Sequence, residues 1–168
     1  VTDARIVLAG MMGAGKTTVG RALAARLGWT YWDNDTELRR LAGRDLGEVA
    51  RAGTERLHEL EAEVLRAGLA APPPVVVAAP GSAVLDPALA ALLRAEYVVW
   101  LRASPQTLAA RVAGGTERPY LPGAGDEAIL AALDAERRPG FAAVASYVVD
   151  VDGLGVDEIV DRILASLP

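Results

Sequence analysis

Gly10-Met11-Met12-Gly13-Ala14-Gly15-Lys16-Thr17-Thr18 is the stretch that decides the fold. It meets the pattern G-x-x-x-x-G-K-[ST], with Gly10, Gly15, Lys16 and Thr17 in the required places. The apolar run Ile6-Val7-Leu8-Ala9 precedes it, and a run of helical character from Thr17 to Leu27 follows. A buried strand that leads through a glycine-rich turn into a helix aims several backbone N–H groups, and the positive end of the helix dipole, at one point where phosphate oxygens can sit. Glycine is needed there because side chains would block both the tight turn and the close approach of the backbone. Gly13, Ala14, Gly15, Lys16, Thr17 and Thr18 are therefore the expected phosphate-binding residues. Lys16 is expected to reach the β- and γ-phosphates, and the Thr17 hydroxyl to take one place on a Mg²⁺ ion.

Composition narrows the rest. A chain of 168 residues is expected to form a single domain, 1–168, with a sizeable core. Hydrophobic residues make up 52% and aromatics only 5%, so that core is built from Val, Leu, Ile and Ala. The absence of cysteine excludes disulfides and thiolate metal sites. A formal charge of -5, with no Lys/Arg run longer than a pair, argues against a nucleic-acid partner. No signal peptide is read before Ile6, and no apolar run approaches the ~18–20 residues a membrane span needs. The expectation is a soluble cytoplasmic monomer whose partner is a small molecule.

Along the chain, segments of strand and helix character alternate. Ala4 to Ala9 reads as a strand buried on both faces, and Gly28 stands where the following helix should end. Trp29 to Trp32 reads as a second strand, which delivers Asp33-Asn34-Asp35. Ligands in open α/β sheets gather beyond the carboxyl ends of the strands, so both carboxylates are expected beside the phosphate loop. Asp35 could equally serve as the N-cap of the next helix. Thr36 to Leu41 and Asp45 to Arg51 read as short helices, and Thr54 to Leu69 as a longer one carrying His58 and Glu61 on one face. Val75 to Ala79 is a third strand ending in Pro80-Gly81-Ser82, Asp86 to Leu93 a helix, Tyr97 to Leu101 a fourth strand, and Pro105 to Val112 a helix. The Gly-, Pro- and Arg-rich stretch at about 113–125, with Arg118-Pro119 in its middle, is expected to be a lid. Glu127 to Arg138 reads as a helix, Ser146 to Val151 as a fifth strand and Val156 to Leu167 as the last helix. This alternation predicts a three-layer α/β/α fold around a five-stranded parallel sheet.

With the phosphate loop, Asp33/Asp35 and Arg118-Pro119 in view, the chain resembles the shikimate kinase family, P-loop kinases of the adenylate-kinase type. Gly10 through Gly20 is close to the family's opening, and Trp32-Asp33-Asn34-Asp35 meets its strand-D-x-D pattern. Gly53 through Glu61 aligns with G-E-x-x-F-R-x-x-E, Pro80-Gly81-Ser82 with a glycine triplet, and Arg118-Pro119 with the lid R-P. The resemblance implies transfer of the γ-phosphoryl of ATP to a ring hydroxyl of a small cyclic hydroxy acid. It casts Asp35 as the base or orienting group on the acceptor hydroxyl, and Lys16 with Arg118 as the charges that steady the phosphoryl group. It places Asp33 with Thr17 on Mg²⁺, Arg111 beside adenine, and His58, Gly81, Ser82 and Arg137 with Asp35 around the acceptor. The acceptor-binding helical region is expected at about 33–62.

The departures from the family all lie on the acceptor side. His58 stands where the family's carboxylate-binding arginine would be, with Leu57 before it, and proline and serine replace two glycines of the triplet. Histidine is shorter and single-pronged where arginine forms a charged fork, and proline removes a backbone donor. Shikimate is the leading acceptor. Another polyol, cyclitol or sugar acid, a gluconate or nucleoside monophosphate kinase, and a nucleotide-binding relative without kinase activity remain open alternatives.

Overall fold

Strands rich in Val, Ile and Leu without polar alternation leave no solvent face, so they belong in the middle of a parallel sheet. In the computed structural model, which describes residues 4–43, 48, 49, 51, 53–114 and 125–168, β1 (Arg5–Ala9) holds that central place. It lies between β3 (Val75–Ala78) and β4 (Tyr97–Arg102). β2 (Thr30–Trp32) and β5 (Tyr147–Asp150) form the edges, and the order is β2-β3-β1-β4-β5 with every pair parallel. Ile6 faces Val76 on one side and Tyr97 on the other, and Ile6 through Ala9 are all buried.

Seven α-helices connect and cover these strands among the described residues: α1 (Lys16–Leu27), α2 (Asn34–Ala42), α3 (Thr54–Ala70), α4 (Pro87–Leu93), α5 (Pro105–Gly114), α6 (Glu127–Val144) and α7 (Val156–Ser166). α1 packs against α7, α6 packs against α4 and α5, and α2 packs against α3. The α2–α3 pair has its own small apolar cluster of Leu38, Val49, Leu57, Leu60 and Val64, which gives the 33–62 region an anchorage apart from the main core.

The order of the strands locates the functional crevice. Chain leaving β1 turns toward β2 on one side, whereas chain leaving β3 crosses over β1 to reach β4. A crevice therefore opens beyond the carboxyl ends of β1 and β3. The loop Gly10–Gly15 and the segment Ala79–Ser82 meet at that point.

Three local readings change in the structure. α6 does not end at Arg138 but continues through Pro139 to Val144. Proline inside a helix forfeits a hydrogen bond and crowds the carbonyl four residues back. The packing beyond it outweighs that cost: Phe141 is fully buried and stacked on Trp100 at 5.5 Å, and Gly140 lets the helix lie on Val84, where a Cβ would stand 2.8 Å from Val84 Cβ. A short 3₁₀ turn, Ala83–Leu85, follows Ser82 and was not anticipated. The N-cap of α2 is Asp33 rather than Asp35. The expected helix Asp45 to Arg51 falls largely outside the described residues, as does most of the expected lid, including Arg118 and Pro119.

Candidate active site

The phosphate loop takes the shape its glycines permit. Gly10, Gly13 and Gly15 have φ of 148°, 83° and 97°, values that L side chains rarely adopt. A Cβ at Gly10 would sit 2.6 Å from the Leu101 carbonyl oxygen, so the loop is also wedged tightly against the end of β4. Gly15 is the N-cap of α1 and provides no side-chain acceptor, leaving first-turn N–H groups available to an outside anion. Lys16 Nζ donates to the carbonyl oxygens of Gly10 at 2.8 Å and Met11 at 2.9 Å, which folds the side chain back over the loop. Arg111, from α5, closes the other side, its Nη1 donating to Ala14 O at 3.1 Å and Gly13 O at 3.4 Å.

A cleft of about 490 Å³ runs from this loop to α2 and α3. Gly13, Gly15, Lys16, Thr17, Thr18 and Arg111 line its nucleotide end. Asp33, Asn34 and Asp35 enter from the end of β2, His58 and Glu61 from α3, Gly81 and Ser82 from the end of β3, and Arg137 from α6. Ala14 is buried beneath the loop. Every described residue expected from the sequence to serve the site, Ala14 aside, thus faces one cleft. Asp35 and Lys16 lie on the same side of the sheet, close enough for the carboxylate to act on the ammonium.

Electrostatics couple the two ends. Burial pulls Lys16 down to about 8; Arg137 acts in the same sense, while Asp35 and Glu61 oppose it. Arg137 is likewise lowered by burial, with Glu61 and Glu136 opposing, and its Nε is buried without a hydrogen-bond partner. Phosphate or carboxylate oxygens entering the cleft would relieve both strains. Gly81 is the residue over which Arg137 reaches: a Cβ there would stand 3.1 Å from Arg137 Nη1 and 3.2 Å from Gly10 O.

Ser82, at the last glycine position of the family's triplet, spends its hydroxyl on Glu61, donating to Oε2 at 2.6 Å. Burial raises the Glu61 pKa, with Ser82, His58 and Arg137 countering and Asp35 adding to it. His58 and Arg137, from different helices, therefore both act electrostatically on the same carboxylate.

Asp33 has two structural duties. Its Oδ1 accepts from the N–H groups of Asp35 at 3.1 Å and Thr36 at 3.3 Å, and its Oδ2 pairs with Arg21 Nη2 at 2.7 Å. Thr17 and Asp33 are hard oxygen donors of the kind Mg²⁺ takes, and among the described residues no three His, Asp or Glu side chains gather into an all-protein cage. That donor set fits an ion held mainly by water and nucleotide phosphate. The Tyr31 hydroxyl is buried beside this pair, with Thr17 and Asp33 as its polar neighbours. Burial, reinforced by Asp33, pushes Tyr31 up to about 12.

Asn34, Arg39 and Tyr31 were not singled out from the sequence. Asp35 and Arg39 are four residues apart on one helical face, a spacing that could have suggested Arg39. Asn34 lies inside the D-x-D pattern but reads as a spacer until burial shows it to be 4% exposed. Nothing in the sequence pattern marks Tyr31.

No helix among the described residues is long and apolar enough to cross a membrane. A family model described as shikimate kinase matches residues 12–168. A shikimate kinase of Moorella thermoacetica is 41% identical over 150 residues, covering 88% of this chain and 85% of that protein. One of Symbiobacterium thermophilum is 38% identical over 165 residues, covering 96% and 95%. The solved shikimate kinase from Acinetobacter baumannii in complex with shikimate superposes with a TM-score of 0.85 at 28% identity, over 96% of this chain and 90% of that one. Despite His58 and the altered glycine triplet, likeness of this extent leaves one assignment: the chain belongs to the shikimate kinase family, ATP-dependent kinases that phosphorylate a hydroxyl.

Proposed function

We propose that this protein transfers the γ-phosphoryl group of ATP to a ring hydroxyl of shikimate. The observation that carries the reading is the shared cleft, in which the phosphate loop, the Asp35 carboxylate and Arg137 face one space. The acceptor oxygen forms a new bond to phosphorus as the bond to the β-phosphate oxygen of ATP breaks; ADP leaves with that bonding pair, and the hydroxyl proton passes to Asp35. The loop N–H groups and Lys16 hold the phosphates and receive the charge that builds up on them. Asp35 orients the attacking hydroxyl, and Arg137 holds the acceptor carboxylate with a charged, forked donor. His58 adds a single prong on the same side, and Arg111 covers the nucleotide end. Arg118, outside the described residues, is assigned the family role of a cation brought in by the lid. Thr17 and Asp33, the latter through water, would hold Mg²⁺, which when bound neutralises phosphate charge. We place the enzyme in the cytoplasm, acting as a monomer.

The test is a coupled assay of ADP release with shikimate, gluconate, AMP and a panel of cyclitols. Shikimate should raise turnover far above background ATPase, and Lys16→Ala should abolish the increment. No increment with shikimate, but one with another acceptor, would leave the kinase and overturn its substrate.

A further inference from the structure

Arg137 and Arg138 are neighbours on α6, and their side chains leave the helix about 100° apart around its axis. Arg137 lines the cleft, with Nη1 over Gly81 and an Nε that is buried without a hydrogen-bond partner. Its aim therefore depends on the helix backbone that carries it. That backbone has a weak point just beyond: Pro139 has no N–H, so the carbonyl of Ala135, four residues back, receives no ladder bond from it. Arg138 spans the gap. Its Nε donates to Asp134 Oδ2 at 3.1 Å and its Nη2 to the same oxygen at 2.5 Å, tying position 134 to 138 across that turn. Asp134 is only 5% exposed, a depth at which a carboxylate needs such a partner. The Arg138 guanidinium also lies 5.8 Å from the centre of the Trp100 ring, on which Phe141, three residues further along α6, is stacked. α6 thus grips β4 on either side of Pro139-Gly140. From the sheet, Arg102 lies 5.5 Å from the same ring centre and pairs with Asp150 of β5 through Nη2 at 2.7 Å.

We propose that Asp134 and Arg138 are positioning residues for acceptor binding: by bracing the turn that Pro139 weakens, they hold Arg137 at the angle from which its guanidinium reaches over Gly81 to the acceptor carboxylate. The inference rests on the reading of Arg137 made above and adds two residues that do not line the cleft. Phe141 fixes α6 beyond the proline, and the Asp134–Arg138 pair fixes the turn before it, from which Arg137 departs. A buried ion pair contributes little net stability, because an apolar pair of similar volume avoids its desolvation cost. Its directional bonds instead select one geometry, which is what a guanidinium that meets a carboxylate fork to fork requires.

The experiment compares wild type, Asp134→Leu/Arg138→Met, Arg137→Met and the triple variant. Removing both partners at once leaves no unpaired buried charge, so Asp134→Leu/Arg138→Met should fold with a Tm close to that of wild type. Shikimate affinity is measured by calorimetry, and kcat and the KM values for shikimate and MgATP by the coupled assay. The double variant should bind shikimate about tenfold more weakly. Its KM for shikimate should rise to match, with kcat and the KM for MgATP within about twofold of wild type. Adding the two substitutions to Arg137→Met should cost nothing further, because the brace acts only through Arg137. Unchanged shikimate affinity in the double variant, beside a loss in Arg137→Met, overturns the proposal. So does an equal loss with and without Arg137, which identifies a general loosening of the helix. Arg138→Gln keeps a single donor to Asp134 and serves where the double variant does not fold; it should raise the KM for shikimate in the same direction, and no rise overturns the proposal. If Arg137→Met leaves shikimate affinity intact, the carboxylate reading of Arg137 falls, and the role of the braced turn with it.

Discussion

Replacing Ser82 with alanine deletes the hydroxyl that donates to Glu61 Oε2 at 2.6 Å and leaves the backbone of the 3₁₀ turn unchanged. Glu61 is raised by burial and restrained by that hydrogen bond, so the variant's carboxylate should titrate higher still. A hydrogen bond to a charged group contributes about 1.5–3 kcal/mol, against about 0.5–1.5 kcal/mol for a neutral pair. For a domain of this length 1 kcal/mol moves Tm by about 2–4 °C, so Ser82→Ala should lower Tm by about 3–12 °C at pH 8. The sign with pH follows from linkage. Because both folded forms hold the Glu61 proton more tightly than the unfolded chain, each loses stability as pH rises above the ordinary glutamate value. The variant continues to lose it to a higher pH, so its deficit should widen between pH 4.5 and pH 8. Differential scanning calorimetry at the two pH values measures this directly. A deficit that is equal at both, or a loss at pH 8 below about 1 °C, would refute the assignment of Ser82 as a group that restrains the rise of Glu61.

Asp35→Asn should lower kcat by about 10²–10⁴-fold while leaving ADP affinity within about twofold by calorimetry; a matching loss of affinity would place Asp35 in nucleotide binding instead. His58→Arg gives the acceptor carboxylate a second forked donor beside Arg137 and should lower KM for shikimate by about tenfold with kcat little changed. A rise in KM would show that His58 selects a different acceptor. Glu61→Gln keeps an acceptor for Ser82 but carries no charge, so it should gain stability over wild type as pH rises above 4.5 and show no gain below it, read by urea unfolding at a series of pH values.

Strand and helix order was legible because unbroken apolar runs and helical spacing are local signals, and their boundaries, the end of α6 aside, moved by only a residue or two. Pro139-Gly140 misled because a local terminator was overruled by distant packing, with Phe141 on Trp100 and Gly140 on Val84. Asp33 and Asp35 were correctly placed beside the phosphate loop, but which of them caps α2 depended on backbone angles that residue identity does not specify.

What the sequence by itself determined is the nucleotide half of the site. Apart from Arg111, which α5 brings to it, those residues are contiguous, and nine positions of chain dictate their own geometry through glycine dihedrals and a helix start. The acceptor half was decided only by tertiary structure. Glu61 and Ser82 are 21 residues apart, and Arg137 comes from a helix beyond the lid region. Their meeting depends on β3 lying beside β1 and on α6 crossing the turn after Ser82. The burial of the Tyr31 hydroxyl beside Thr17 and Asp33 belongs to the same category, because it is a property of the assembled protein, not of a tyrosine in a strand.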